Sequence, residues 1–360
     1  MNIECYVING RSKCHDVCAF SSNFRYHWQI IKHQMVAECA MKSRFGTLYG
    51  KVCLVTGTSR GIGKGIALQL GDAGAIVYIT ARTLLPNEYS EGSLVETAEE
   101  VELRGGRCIP VKCDHANDED VKQLFNRIKE EQNGRLDVLV NNAYEGTWDI
   151  FDNLNVPFWE LPPEFWDNTC NVGLRSHYVA SVLASEMMVA ARQGLIVNIS
   201  SGGGLGYIFN ASYGIGKSAV DRMAADCAVE LRPYNVAFVS LWPGAVKTEL
   251  LSEIVHSYKP GINDVRLVRM VEQGESPEFA GKAIIHLATD RNIMKKSGRI
   301  LWTSDLANEY CYTDVDGVPP PNFRSLKVFL SITGHTWLAA ITPSFIKCPF
   351  WILAVMTHKF

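Results

Sequence analysis

The chain has no long apolar stretch followed by a small-residue cleavage site near its start, so no secretory leader is expected. It has no excess of one charge: 35 Lys and Arg stand against 38 Asp and Glu, for a formal net charge of −3. Such a chain has no bulk attraction for nucleic acid, and that class of partner is set aside. Internal repeats and low-complexity tracts are absent. The 11 cysteines are scattered and odd in number. That is no disulfide framework, and it points to a reducing compartment or a surface facing the cytosol. Cys14, His15 and Cys18 ("CHDVC") lack a second half at ligand spacing, so no metal site is expected.

What is present has the composition of a globular protein. The 360 residues suffice for one large domain with appendages, or for two domains. Residues 1–48 show no sustained periodicity and read as an N-terminal extension, either poorly ordered or the product of a misplaced gene start near Met41. From Lys51 the pattern sharpens. "KVCLVTG", "AIVYIT", "CIPVKCD", "LDVLVNNA", "GLIVNIS", "VAFVSLWPG" and "GRILWT" are short apolar runs that read as buried strands. Helical patterns lie between them, at Gly63 to Leu70 and near 93–104, 117–132, 164–193, 211–232 and 277–289. Strands alternating with helices predict an α/β fold, a doubly wound parallel sheet of Rossmann type over residues 49–315. An apolar tail, 316–360, follows.

"TGTSRGIG", Thr56 to Gly63, follows the first strand and opens a helix. Gly57, Gly61 and Gly63 allow a tight turn and a close approach to a pyrophosphate, with the N–H groups of the helix start aimed at the anion. A glycine turn alone is common. Here a buried strand precedes it, a helix follows, and a second strand comes about 15 residues on, which is the context a dinucleotide site needs. Ser59 and Ile62 belong to the same turn. The second strand ends "YITART", without the acid that would hold the ribose hydroxyl of NAD. Arg82 stands there instead, and Arg60 lies in the turn. Two guanidinium groups suit a 2′-phosphate, so NADP is expected, with NAD the alternative.

"NASYGIGKSAVDRM" places Tyr213 and Lys217 four apart, on one face of a helix. By itself this is an ordinary amphipathic helix, with Ala219, Val220, Met223 and Ala224 as an adjoining apolar stripe.

Taken in order, "TGTSRGIG", "CD" at Cys113 and Asp114, "NNA" at Asn141 to Ala143, "NVG" at Asn171, "ISS" ending at Ser201, "YGIGK" and "PGAVKT" resemble the short-chain dehydrogenase/reductase family over roughly residues 49 to 305. The resemblance implies hydride transfer between a nicotinamide cofactor and a small carbonyl or alcohol substrate. It implies Tyr213 as general acid and Lys217 as the charge that favours the phenolate and binds the nicotinamide ribose. It also implies a serine that polarises the carbonyl, and Asn171 holding a water that relays protons to Lys217. "ISS" favours Ser201. Ser200, thirteen residues before Tyr213, is the alternative. Asp114 is implied at the adenine, Asn142 beside the cofactor, and Val246 and Thr248 at the nicotinamide amide. For Asp114 a helix cap competes. "NNAY" puts Tyr144 where the family usually has a small residue.

The following insertion, "EGTWDIFDNLNVPFWELPPEFW", and residues 249–275 flank the expected substrate mouth. Trp148, Phe151, Phe158 and Trp159 suit a bulky apolar carbonyl compound, such as a steroid or xenobiotic ketone, or else pack the loop on itself. The lead expectation is an NADPH-dependent carbonyl reductase. An NAD-linked alcohol or hydroxysteroid dehydrogenase and a non-catalytic dinucleotide-binding sensor are the alternatives. In the tail, residues 326–356 are aromatic and aliphatic, broken by Gly334, Pro343 and Pro349. They are expected to lie in a membrane interface without spanning it, with a homodimer contact or packing on the enzyme body as alternatives. With no leader, the catalytic domain would face the cytosol, and the resemblance implies the endoplasmic reticulum.

Overall fold

The computed structural model describes residues 46–87, 92–256, 265–322, 324–332, 335–343, 346–349 and 352–353, together with 7–8 and 11–12. The chain divides into two units, Met1–Arg44 and Phe45–Phe360. In the first, Val7–Ile8 and Arg11–Ser12 pair as short antiparallel strands. Cys14, His15, Cys18 and Met41 lie outside the described residues.

The second unit begins with β1 (Val52–Thr56), α1 (Gly61–Asp72), β2 (Ile76–Ala81), α2 (Leu94–Leu103), β3 (Arg107–Lys112), α3 (Asp118–Glu131) and β4 (Val138–Asn141). Then come α4 (Thr147–Asp152), α5 (Glu164–Cys170), α6 (Ser176–Ala191), β5 (Gly194–Ile199), α7 (Ala211–Leu231) and β6 (Val236–Trp242). It continues through α8 (Glu249–His256), α9 (Val265–Glu272), α10 (Pro277–Thr289), β7 (Ile300–Trp302), α11 (Thr303–Tyr310), α12 (Leu326–Ile332) and α13 (Thr336–Ile341).

The seven strands form one parallel sheet in the order β3-β2-β1-β4-β5-β6-β7. This is the doubly wound fold that the alternating runs predict. Strand residues alternate between two cores, as their period of two requires. Cys53 and Val55 meet Ile66, Leu70, Ala280 and Ile284 on the α1 and α10 side. Val52 and Leu54 meet Phe125, Ile128, Met188 and Ala224 on the other. Each fully buried valine, leucine or isoleucine among them contributes roughly 1.5–3 kcal/mol.

Strand order reverses between β1 and β4, so their C-terminal ends place the glycine turn beside Asn142 and Ala143. At the other end of the same two strands, the Asp137 carboxylate binds Val52 N at 2.9 Å, Lys51 Nζ at 2.8 Å and Arg135 Nε at 2.7 Å.

One expectation is corrected. The helix expected over 164–193 is broken. Val172 (φ −100°, ψ 101°) and Gly173 (φ 137°) leave helical geometry between α5 and α6. The tail is tied to the enzyme body, as one of the alternatives for it has it. Asp305 on α11 accepts from Asn322 Nδ2 at 2.8 Å, Arg324 Nη1 at 2.5 Å and Lys347 Nζ at 2.6 Å. Lys347, read from sequence as part of a membrane-facing stretch, therefore points to a carboxylate of the catalytic body, because an ammonium binds a charged partner in preference to an apolar surface. No helix among the described residues is long and apolar enough to cross a membrane. Trp337 and Ile341 on α13 are exposed. Gly334, Phe345, Phe350 and Trp351 lie outside the described residues.

Candidate active site

The catalytic helix is set in register by its cap. Asn210 has extended backbone, and its Oδ1 accepts from Tyr213 N at 2.9 Å. This starts α7 so that Tyr213 falls in its first turn, where the helix macrodipole favours negative charge. Lys217 follows one turn later and Asp221 one turn after that, on the same face.

Ser201 and Tyr213 meet directly, with Oγ and Oη 2.7 Å apart. Ser201 Oγ also accepts from Gly203 N at 3.1 Å, which fixes its orientation. Ser200 turns away, donating to the Lys217 carbonyl at 3.3 Å. The geometry thus brings Ser201 to the phenol and leaves Ser200 behind it. Burial pushes the Tyr213 phenol above its usual range, while the Ser201 hydrogen bond works against that and Asp221 adds to it. Lys217 Nζ donates to Ile199 O at 3.3 Å and lies 4.8 Å from the Tyr144 ring centroid and 5.9 Å from that of Tyr213. Burial draws Lys217 down to about 8, with the Asp221 charge opposing the fall.

Asn171 sits at the helix break, and among the described residues its side chain has no hydrogen bond to Lys217. The small pocket beside Lys217 is lined by Tyr144, Thr169, Gly173, Ser212 and Tyr213.

The aromatics of the insertion divide. Phe151 is buried and packs 5.1 Å from Phe209, whose own ring lies 5.2 Å from Tyr213. Leu154, Leu250, Leu251 and Ile254 complete this apolar lid from the insertion and α8. Phe158 and Trp159 instead pack on each other and stay in solvent, and Trp148 is exposed at the rim.

At the cofactor end, Asn142 Nδ2 donates to Thr56 O and Gly57 O, both at 2.8 Å, and holds the turn. A Cβ on Gly63 would lie 2.1 Å from Gly57 O, so only glycine lets the turn close. Arg60 occupies the cap position of α1 without a side-chain cap, leaving backbone donors at the helix start. Thr248 approaches Gly61, and Glu249 Oε2 accepts from Gly61 N at 3.0 Å. Val246 is buried and bridged to Glu275. Ile62 packs against the core. Ser59, Arg60 and Lys64 line an adjoining cleft that also holds Glu96, Glu99 and Glu100. Arg82 pairs with Glu145. Asp114 Oδ1 accepts from Ala116 N at 2.9 Å at the end of β3, while Asn117 supplies the cap of α3.

The turn, the backbone donors of the helix start and the threonine beside it fit a dinucleotide pyrophosphate, which would displace Glu249 from Gly61 N. When bound, a nicotinamide dinucleotide supplies or accepts the hydride. Glycine turn, switch point and Ser–Tyr–Lys constellation together define a dinucleotide-dependent oxidoreductase of doubly wound fold.

Comparison with known proteins agrees. The family model for short chain dehydrogenase matches residues 51–259. The human protein Dehydrogenase/reductase SDR family member 1 is 49% identical over 316 residues, 86% of this chain and 98% of its own length. The mouse protein of that name is 48% identical over 315 residues, with the same coverage of both chains. A metagenomic short-chain oxidoreductase solved in complex with NADP superimposes with a TM-score of 0.54 at 26% identity, covering 71% of this chain and 98% of that one. The chain belongs to the short-chain dehydrogenase/reductase family.

Glu249 and Asp221 were missed in the sequence. Asp221 could have been found, because it continues the four-residue spacing of Tyr213 and Lys217. Glu249 gave only its position directly after "PGAVKT".

Proposed function

We propose that this protein is an NADPH-dependent carbonyl reductase acting on bulky apolar ketones or aldehydes, with Tyr213 as general acid. The observation that carries this is the hydrogen bond between Ser201 and Tyr213 beneath an apolar lid. Ser201 is placed to polarise a carbonyl oxygen, and Tyr213 to hand it a proton. Lys217, buried and one turn from Tyr213, supplies positive charge that lowers the cost of a phenolate. Ser201 keeps the phenol oriented. Phe209 and Phe151 exclude water from that oxygen and favour a large apolar substrate over a small polar one. Arg60 and Arg82 support NADP as the cofactor. Arg82 would have to exchange Glu145 for the 2′-phosphate.

The test is NADPH oxidation by purified protein against steroid, quinone and aliphatic carbonyls. Tyr213→Phe serves as the control and should lose at least about 10²-fold in turnover while still binding NADPH. Activity in Tyr213→Phe equal to wild type would remove the general-acid role.

The exposed Trp337 and Ile341 support contact of the tail with a membrane surface, which we place at the cytosolic face of the endoplasmic reticulum. Flotation of full-length protein with liposomes tests this, and protein left entirely in the dense fraction would refute it.

A further inference from the structure

Tyr144 enters the catalytic pocket from the loop after β4. Its ring meets that of Tyr213 edge to face, with centroids 6.3 Å apart. Its hydroxyl is buried and has no hydrogen-bond partner among the described residues. Room for the ring comes from the α5–α6 break: a Cβ on Gly173 would lie 2.4 Å from Tyr144 Cδ2, and the φ of 137° there is one that glycine adopts freely. The two departures from an ordinary helix and an ordinary small-residue loop are therefore one feature. The break makes a notch, and the tyrosine fills it.

The filled notch faces Lys217. A buried ammonium has three donors to satisfy. Among the described residues, Nζ donates one hydrogen bond, to Ile199 O at 3.3 Å. Aromatic faces take up the rest, Tyr144 at 4.8 Å and Tyr213 at 5.9 Å from the ring centroids. The negative face of a ring attracts a cation, more strongly when water is excluded. The unpartnered hydroxyl takes no part, so the ring is the working group.

We infer that Tyr144 is a positioning residue for Lys217: its ring face holds the ammonium beside Tyr213 and favours the charged form. Resting on the proposed roles of Tyr213 and Lys217, this adds a residue that acts through Lys217. The other titratable groups around Lys217 are Asp221 and Tyr213 on α7 and His177 on α6. Asp221 favours the charged lysine, and His177 is neutral when buried. Removing the ring while leaving these in place should therefore lower the pH at which Lys217 loses its proton.

The experiment compares wild type, Tyr144→Phe and Tyr144→Leu. The Lys217 resonance is followed against pH by NMR of isotope-labelled lysine and assigned by its loss in Lys217→Met. This readout needs neither substrate nor cofactor. Tyr144→Phe keeps the ring and should titrate with wild type. Tyr144→Leu should titrate lower by about one pH unit. The alkaline limb of carbonyl reduction should move in the same order. Should Tyr144→Leu fail to fold by thermal melting, Tyr144→Met, which is flexible and lacks a ring, takes its place under the same criterion. The inference is overturned if the ringless variant titrates with wild type, or if Tyr144→Phe moves as far as the ringless variant. Wild-type protein that reduces no carbonyl would overturn the reductase reading instead, and the NMR titration would still decide the role of the ring.

Discussion

Asp221 lies one helical turn beyond Lys217 on α7, and both side chains are buried. The Asp221 carboxylate is held by Ser240 Oγ at 2.5 Å and Trp242 Nε1 at 2.9 Å. It is thus a fixed charge behind the lysine. Burial raises the Asp221 carboxyl, and the Ser240 and Trp242 hydrogen bonds work against that rise. Asp221→Asn removes the opposite charge and keeps a polar side chain of nearly the same shape. Lys217, already drawn down to about 8, should then lose its proton at lower pH. The fall of kcat/KM with rising pH should begin earlier than in wild type. An unchanged alkaline limb would show that Asp221 does not act on Lys217.

Two buried histidines make stability depend on acid. Burial draws His115 down to about 4 and His177 down to about 3. Unfolded, both titrate near 6.5. Above that pH neither state binds the proton, and their contribution is fully present. As pH falls below 6.5 the unfolded chain gains protons that the folded chain refuses, so stability is lost progressively toward pH 4 and below. The melting temperature should decline over this window. His115→Gln, which leaves Thr80 Oγ1 a partner in place of the imidazole now 2.7 Å away, should make the decline shallower. A decline as steep as in wild type would assign the acid sensitivity elsewhere.

Cofactor choice should respond to Glu145 as well as to Arg82, because the two are paired. Arg82→Asp should weaken NADPH far more than NADH, since it replaces a phosphate contact with repulsion. Glu145→Gln frees Arg82 and should tighten NADPH selectively, by several-fold. Fluorescence titration gives both Kd values. Equal affinity of the wild-type protein for the two cofactors would count against selection by these arginines.

Asp305 ties the tail to α11 through Arg324 and Lys347. Asp305→Ala leaves two partly buried cations without their shared carboxylate, which costs more than losing an exposed pair, on the order of 1–3 kcal/mol. Limited proteolysis should cleave residues 324–349 faster in this variant, with cofactor affinity unchanged. Equal cleavage rates would mean that the tail is held by other contacts.

The parallel sheet was legible because buried strands are continuous apolar runs, and "VCLVT" and "VAFVSLW" are buried throughout. The glycine turn was legible because its backbone geometry demands a residue type. The break at Val172 and Gly173 was not, because apolar spacing continues through it and the Tyr144 ring that fills the notch is about 30 residues away. The pairings of Arg82 with Glu145 and of Asp305 with Lys347 join positions 63 and 42 apart, and local pattern carries no trace of such partners. Of the aromatics read from the insertion, Phe151 is buried against Phe209 while Phe158 and Trp159 stay in solvent. Which of them reaches Tyr213 depended on Phe209, which lies outside the insertion.

Asp137 lies at the far end of the same strands that carry the glycine turn and Asn142. Its carboxylate ties β1 to β4 through a backbone amide and two cations, a full strand length from the reacting groups. Changes at the Asp137 end should therefore act on heat tolerance more than on turnover. The edge that carries Asp137 can be altered to change how firmly the strands stay registered, while the edge that faces the dinucleotide keeps its geometry.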